Sequence, residues 1–335
     1  MEPWLVIGEF GTASGGTGPL PILAATDLEA VTGWVSKPEG WCRGTECIPA
    51  SLIGPGAADS DLPVSLVVSG LGCATAADPV HRVAVIGSRS RARAGVGTVV
   101  DPDLELTGLD GASHRLLGSP SDKTLVVAFS SWCGCRYDLP GWQALRDELS
   151  DNRFKVVAVA IDECTGDVEP WAENVDLPVL VDTDRLFADA LGLTNVPTVF
   201  WLDESGRVVR RPSEEFPTDM FTEVHGIESG PHLDAVRRWV LHDELPDPDG
   251  DQVPEFTDDQ RQARVEFRLA LELLRRGATE AAAERISQAD ALAPDDFTIW
   301  RAGMKLVGDD PFGAEFFERY TEWQQRHGGP LAASE

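Results

Sequence analysis

Leu125-Val126-Val127-Ala128-Phe129-Ser130-Ser131-Trp132-Cys133-Gly134-Cys135-Arg136-Tyr137-Asp138-Leu139-Pro140 is the stretch on which the reading of this chain turns. Its first five residues are an apolar, β-prone run of the kind that forms a strand buried on both faces. Two cysteines follow at once, and an amphipathic helical pattern over residues 141–150 comes after them. Thiols at the point where a buried strand yields to a helix meet the positive end of the helix dipole and its free N–H groups, which favour the thiolate. The thiolate is the nucleophile of disulfide exchange. The competing reading is a pair of small, inert buried cysteines.

Working outward, residues 154–161 (FKVVAVAI) form a second buried run and residues 178–181 a short third. Residues 198–203 and 204–209 read as a hairpin across Gly206. Helical patterns cover 167–174, 183–191 and 232–241. Strands alternating with helices in this way predict a layered α/β fold.

With these elements placed, the chain from about residue 100 to 242 resembles a TlpA/ResA-like redoxin. The resemblance is carried by residues 129–133 (FSSWC), 136–140 (RYDLP), 195–198 (NVPT) and the lead-in 104–111 (LELTGLDG). It implies a thioredoxin-like fold, a central mixed sheet with helices on both faces, and thiol-disulfide oxidoreductase activity. It also implies a cis peptide bond before Pro197, facing the cysteines. One departure matters: the family's pair is C-x-x-C, whereas Cys133 and Cys135 enclose Gly134 alone. This C-G-C resembles a W-A-x-x-U-G-C branch in which selenocysteine stands at the position of Cys133. A disulfide across one residue closes a small ring and is expected to be oxidising. Gly134 is expected to ease it by its backbone freedom.

The expected roles follow. Cys133 attacks and Cys135 resolves. Trp132 shields one side, Val196 and Pro197 form the opposite wall, and Arg136 adds charge near the thiolate or pairs with Asp138 or Glu163. The expected substrate is a protein or small-molecule thiol or disulfide. Peroxide reduction of the peroxiredoxin type competes: a selenocysteine-type position suits it, but the P-x-x-x-T/S-x-x-C pattern is absent before Cys133. A soft-metal carrier or sensor is the non-enzymatic alternative, since C-x-C can hold Cu(I) and Cys42 with Cys47 would supply a second pair. No cofactor is expected and no metal ligand is assigned.

The rest of the chain frames this region. Residues 1–98 read as a small α+β region with short strands at 4–7, 64–68 and 82–86 and a helix at 25–31 capped by Thr26 or Asp27. It carries Cys42-x4-Cys47, a second redox pair or half a metal site, with Cys73 and His81 as conceivable further ligands. Cys164 follows the second redoxin strand at the edge where ligands gather and reads as a neighbour of Cys133 or a partly buried spectator. Residues 243–257 are an acidic, Pro-rich linker. Leu269, Ala270, Leu273, Ala282, Ile286, Ala289 and Pro294 resemble one tetratricopeptide repeat, so residues 258–328 read as a tetratricopeptide-like helical segment expected to pack on the redoxin domain, a second copy or a protein partner. A net charge of −28 argues against nucleic acid and anionic membrane partners. The N-terminal residues suggest neither a signal peptide nor a membrane span, and a cytoplasmic location is expected.

Overall fold

The computed structural model describes residues 2–52, 61–118, 122–246 and 253–327 of the 335. It divides into two compact units: Met1–Ala92 with Glu255–Pro294, and Arg93–Pro254 with Asp295–Glu335.

The second unit is built on the quoted stretch. Lys123–Phe129 is a strand buried along its whole length. β-branched and aromatic residues suit a pleated surface covered on both sides. Leu125, Val126 and Phe129 are fully buried, so truncating one to alanine costs about 2–5 kcal/mol. The strand pairs in parallel with Phe154–Ala160, which pairs in parallel with Val179–Val181. Thr198–Leu202 flanks it antiparallel, and Glu105–Gly108 and Ser113–Arg115 close the far edge antiparallel. The result is the six-stranded mixed sheet that the resemblance implied. Leu139–Leu149 follows the cysteines with Pro140 in its first turn, where a missing N–H costs nothing. Thr165–Ala172, Leu186–Leu191 and Ser229–His242 are the other long-expected helices.

The expected hairpin forms only in part. After the turn, residues 207–209 split their hydrogen bonds: Val208 N donates to Thr98 O and Val209 N to Trp201 O. Two competing partners and Pro212 leave isolated bridges in place of a second strand.

Two expectations change in the first unit. The apolar run at 64–68 is the start of a helix, Val64–Leu71, whose buried face is Val64, Val67, Val68 and Leu71, a helical spacing. The helix Ala25–Thr32 begins from Ala24 with no side-chain cap, so neither Thr26 nor Asp27 caps it. Strands Leu5–Ile7 and Val83–Ile86 form where expected and pair in parallel. Trp4, Trp34 and Trp41 anchor the core beside Leu28, Val67 and Leu71.

The helical segment expected at 258–328 is shared between the units. Asp258–Arg275, opened by a Thr257/Gln260 capping box, and Thr279–Leu292 belong to the first. Arg261 donates to Gly72 O and Ser88 O, and Arg268 to Gly8 O. Phe297–Val307 and Ala314–His327 belong to the second. The division has a physical cause, because each pair carries its own apolar set: Val265, Leu269 and Leu273 in the first, Phe297, Trp300, Phe316, Tyr320 and Trp323 in the second. The boundary near residue 98 shifts to Ala92/Arg93, where Arg93 Nε bonds Gly192 O. The expected linker is engaged at both ends: Asp243 pairs with Lys123, and Phe256 is buried with its N–H on Arg91 O. Residues 247–252 of that linker lie outside the described residues.

Candidate active site

The register of the sheet assembles the site. Ala128 lies opposite Thr198, so Asn195-Val196-Pro197 arrives beside the carboxyl end of Lys123–Phe129, where Ser130 leads to Cys133. The Val196–Pro197 bond is cis. Ile161 N donates to Phe129 O, which carries the neighbouring strand's end to the same edge. There the fully buried Asp162 accepts from Ser130 Oγ, Ser131 N and Ser131 Oγ and fixes the approach to the cysteines.

Cys133 is the N-cap of a 3-10 turn, Gly134–Asp138, and its Sγ accepts from Cys135 N at 3.4 Å. When protonated, the same sulfur faces Val196 O at 3.5 Å. Both cysteines are buried and unbridged. Burial opposes a Cys133 thiolate, yet hydrogen bonds from the Cys135 thiol and backbone and the charge of Arg301 outweigh it and bring the thiol down to about 6. Burial and the facing Cys133 push Cys135 well above the ordinary thiol range. The two sulfurs thus differ in charge, Cys133 favouring the thiolate and Cys135 the thiol.

Arg301 was not foreseen as a site residue. It lies on Phe297–Val307, is 4% exposed, and donates to Trp132 O and Pro311 O. Its guanidinium stands over the Phe316 ring at 4.0 Å and the Trp132 ring at 5.1 Å. Lys305, one turn on, reaches Asp162 at 3.1 Å and Asp167 at 2.8 Å, and Arg185 Nη1 bonds Thr298 O. Three cations therefore fix this helix within its unit. The i, i+4 spacing of Arg301 and Lys305 marks a common face in the sequence, but nothing in the sequence tells what that face meets.

Arg136 takes a different place from the one expected. It donates to Ser131 O and lies over Trp171 at 4.4 Å, while Glu163 pairs with Arg185. Arg301 supplies the charge beside the thiol in its stead. Gly134 also differs in its reason. It has no left-handed φ; a Cβ there would sit 3.2 Å from the Phe221 ring, so the position needs the room.

Two carboxyls complete the site. Asp138 is 2% exposed, and its Oδ1 accepts from Thr218 Oγ1 while buried Oδ2 has no partner among the described residues. Burial, and to a lesser degree the Cys133 charge, push it up to about 7 against the Thr218 bond. Glu214 accepts from Asn195 Nδ2 at 2.5 Å, and burial with the Cys133 charge pushes it up to about 8. A cavity of about 80 Å³ lies over the thiols. Cys133, Cys135, Val196, Pro197, Glu214 and Arg301 line it together with an aromatic group including Phe221, Phe312 and Phe316. Phe316 and Tyr320 of Ala314–His327 are core and cavity wall at once.

None of the other cysteines is among the residues that line this cavity. Cys42 and Cys47 face each other across antiparallel strands Gly40–Arg43 and Glu46–Ile48 and are joined by a disulfide. Glu39 is near them, but bonded sulfurs offer no thiolate to a metal. His81 pairs with Asp78. Burial pushes Cys73 up to about 12, which keeps it a thiol. Cys164 is exposed.

The Redoxin family matches residues 95–229. The thiol-disulfide oxidoreductase ResA of Geobacillus thermodenitrificans is 28% identical over 110 residues, 32% of this chain and 63% of that protein. Sulfhydryl oxidase 1 of Gallus gallus is 48% identical over 63 residues, 18% of this chain and 8% of that protein. The chain thus spans less than two thirds of the length of either relative. Among solved structures, the pneumococcal exposed lipoprotein thioredoxin Etrx1 of Streptococcus pneumoniae is 26% identical, covering 40% of this chain and 98% of that one with a TM-score of 0.32. Among the described residues, no helix is long and apolar enough to cross a membrane. Residues 95–229 are a redoxin domain of the TlpA/ResA-like type.

Proposed function

We propose that the chain is a thiol-disulfide oxidoreductase whose working pair is Cys133 and Cys135. The observation that carries this is the division of labour within the pair: Cys133 is held as a thiolate at a turn N-terminus, and Cys135 is held as a thiol two residues on. In the reaction the Cys133 thiolate attacks a substrate disulfide, and one substrate sulfur leaves as a thiolate. Cys135 then loses its proton and attacks Cys133, which releases the second substrate thiolate and closes the Cys133–Cys135 disulfide. Asp138 is the base for that step: it is poised near neutrality and its charge acts on Cys135. Substrate is a protein or small-molecule disulfide lying along Val196–Pro197. The test is a trapping experiment. Cys135→Ser should accumulate a mixed disulfide through Cys133, and Cys133→Ser should accumulate none. Trapping by Cys133→Ser would reverse the two roles.

A further inference from the structure

The family match ends at residue 229, yet the space over the thiols is walled in part from beyond it. Phe297, Arg301, Phe312, Phe316 and Tyr320 line the cavity, and all lie on or beside the helices Phe297–Val307 and Ala314–His327. The first of these helices is pinned in place: Arg301 donates to Trp132 O, Lys305 to Asp162 and Asp167, and Arg185 to Thr298 O. The second is held to the first by rings, with Phe316 stacked 5.9 Å from Trp300 and the Arg301 guanidinium 4.0 Å over Phe316. From this anchored pair Phe312 reaches back to Phe221, 6.4 Å ring to ring. A Cβ on Gly134, the residue between the cysteines, would meet Phe221 at 3.2 Å and Phe312 at 3.5 Å. The two rings therefore close over the redox turn, and Cys133 is 6% and Cys135 4% exposed.

Disulfide exchange demands room, because the attacking sulfur approaches in line with the S–S bond and the departing half lies beyond it. The room here is about 80 Å³, roughly half the engineered cavity of about 150 Å³ that accepts benzene. A short-armed disulfide brings only a few atoms to each sulfur. A disulfide inside a folded protein brings two backbones about 5.5–6 Å apart, and both must come in with it. To admit them Phe312 would have to leave its contacts with Phe221, Phe316 and Phe317. We propose that Phe297–Val307 and Ala314–His327 form a size filter over Cys133: the substrates are low-molecular-weight disulfides with short, largely apolar arms, and disulfides within folded proteins are turned away. This rests on the exchange chemistry assigned above to Cys133 and Cys135. The Cys133 thiolate takes one half as a mixed disulfide and expels the other as a thiolate. Cys135 displaces the bound half, which leaves with the Cys135 proton, and two electrons have passed to the small disulfide. Phe312 is the specificity-determining ring, because it joins the two helices to Phe221 across the turn.

The test uses the full chain, fully reduced, in single turnover against three disulfides of rising size: bis(2-hydroxyethyl) disulfide, oxidised glutathione and insulin. Closure of the Cys133–Cys135 disulfide is read by mass spectrometry. Each rate is divided by that of dithiothreitol with the same disulfide, so that intrinsic reactivity cancels. The normalised rate should fall along the series, by at least ~10-fold from the first to the last, the equivalent of breaking one or two aromatic pairs. Phe312→Ala should raise the ratio of the insulin rate to the bis(2-hydroxyethyl) disulfide rate at least ~10-fold, and Phe312→Trp should keep it at the native value. The series on the native chain needs no variant and stands even if Phe312→Ala does not fold. Insulin reduced as readily as the small disulfide overturns the filter and leaves the oxidoreductase reading in place. A ratio that Phe312→Ala does not move overturns the role of that ring. Failure to reduce any of the three overturns the oxidoreductase reading itself, and the filter with it.

Discussion

Two short-spaced cysteine pairs in one chain end in different chemical states, and the backbone beneath them accounts for it. Cys42 and Cys47 occupy opposed positions on neighbouring antiparallel strands, so their side chains emerge on the same face and meet as a disulfide. Cys133 and Cys135 lie on a helical turn, where the second residue's N–H points at the first residue's sulfur. A strand pair brings two sulfurs together as equals. A turn N-terminus makes them unequal, stabilising charge on one and leaving the proton on the other. Spacing alone would have ranked the two pairs alike; the secondary structure that carries them separates a crosslink from a reagent.

The comparison can be broken by exchange of function. Replacing Cys133 by Ser should abolish turnover of a small disulfide, whereas replacing both Cys42 and Cys47 by Ala should leave it intact, as measured in a coupled dithiol assay. Loss of turnover in the Cys42/Cys47 variant would make the first pair part of the catalytic relay. A smaller effect belongs to stability. Removing a crosslink that closes a loop of sequence separation 5 should cost about 2 kcal/mol in urea unfolding of the first unit. A cost near zero would mean that the three-stranded turn holds itself together. The smallest readout is a thiol count. The native chain should react with maleimide under denaturing conditions at four of its six cysteines, the four free ones being Cys73, Cys133, Cys135 and Cys164. Six cysteines found already blocked when the thiols are alkylated at lysis would place Cys42–Cys47 in a reducing compartment.

Much of the redoxin unit was legible because its signals are local. An unbroken apolar run fixes a doubly covered strand, and the cysteines next to it mark the helix start. Pro197 and the cysteines meet through strand pairing, which the resemblance supplied. What the sequence did not disclose is long-range. Arg301 lies 168 positions beyond Cys133, on a helix whose own pattern says only that it is amphipathic. Glu214 sits in a stretch with no regular element. The run at 64–68 misled because a short, valine-rich run fits a buried strand as well as one helical face, and the helix is settled by what Val67 and Leu71 pack against.

The central claim is that a residue from the last part of the chain completes the thiol site, and the pH dependence of Cys133 alkylation tests it most directly. Because the folded-state pKa is lowered, the thiolate persists above about 6. Iodoacetamide labelling of the Cys135→Ser chain loses the Cys135 thiol's hydrogen bond, so the measurement is made on the native pair, with the Cys133 peptide quantified by mass spectrometry. The rate should rise through a midpoint near 6 and stay level from pH 7 to 8. In Arg301→Gln the midpoint should move upward, toward the ordinary thiol value near 8.5. A native midpoint already in that ordinary range, or one that Arg301→Gln leaves in place, would contradict the account.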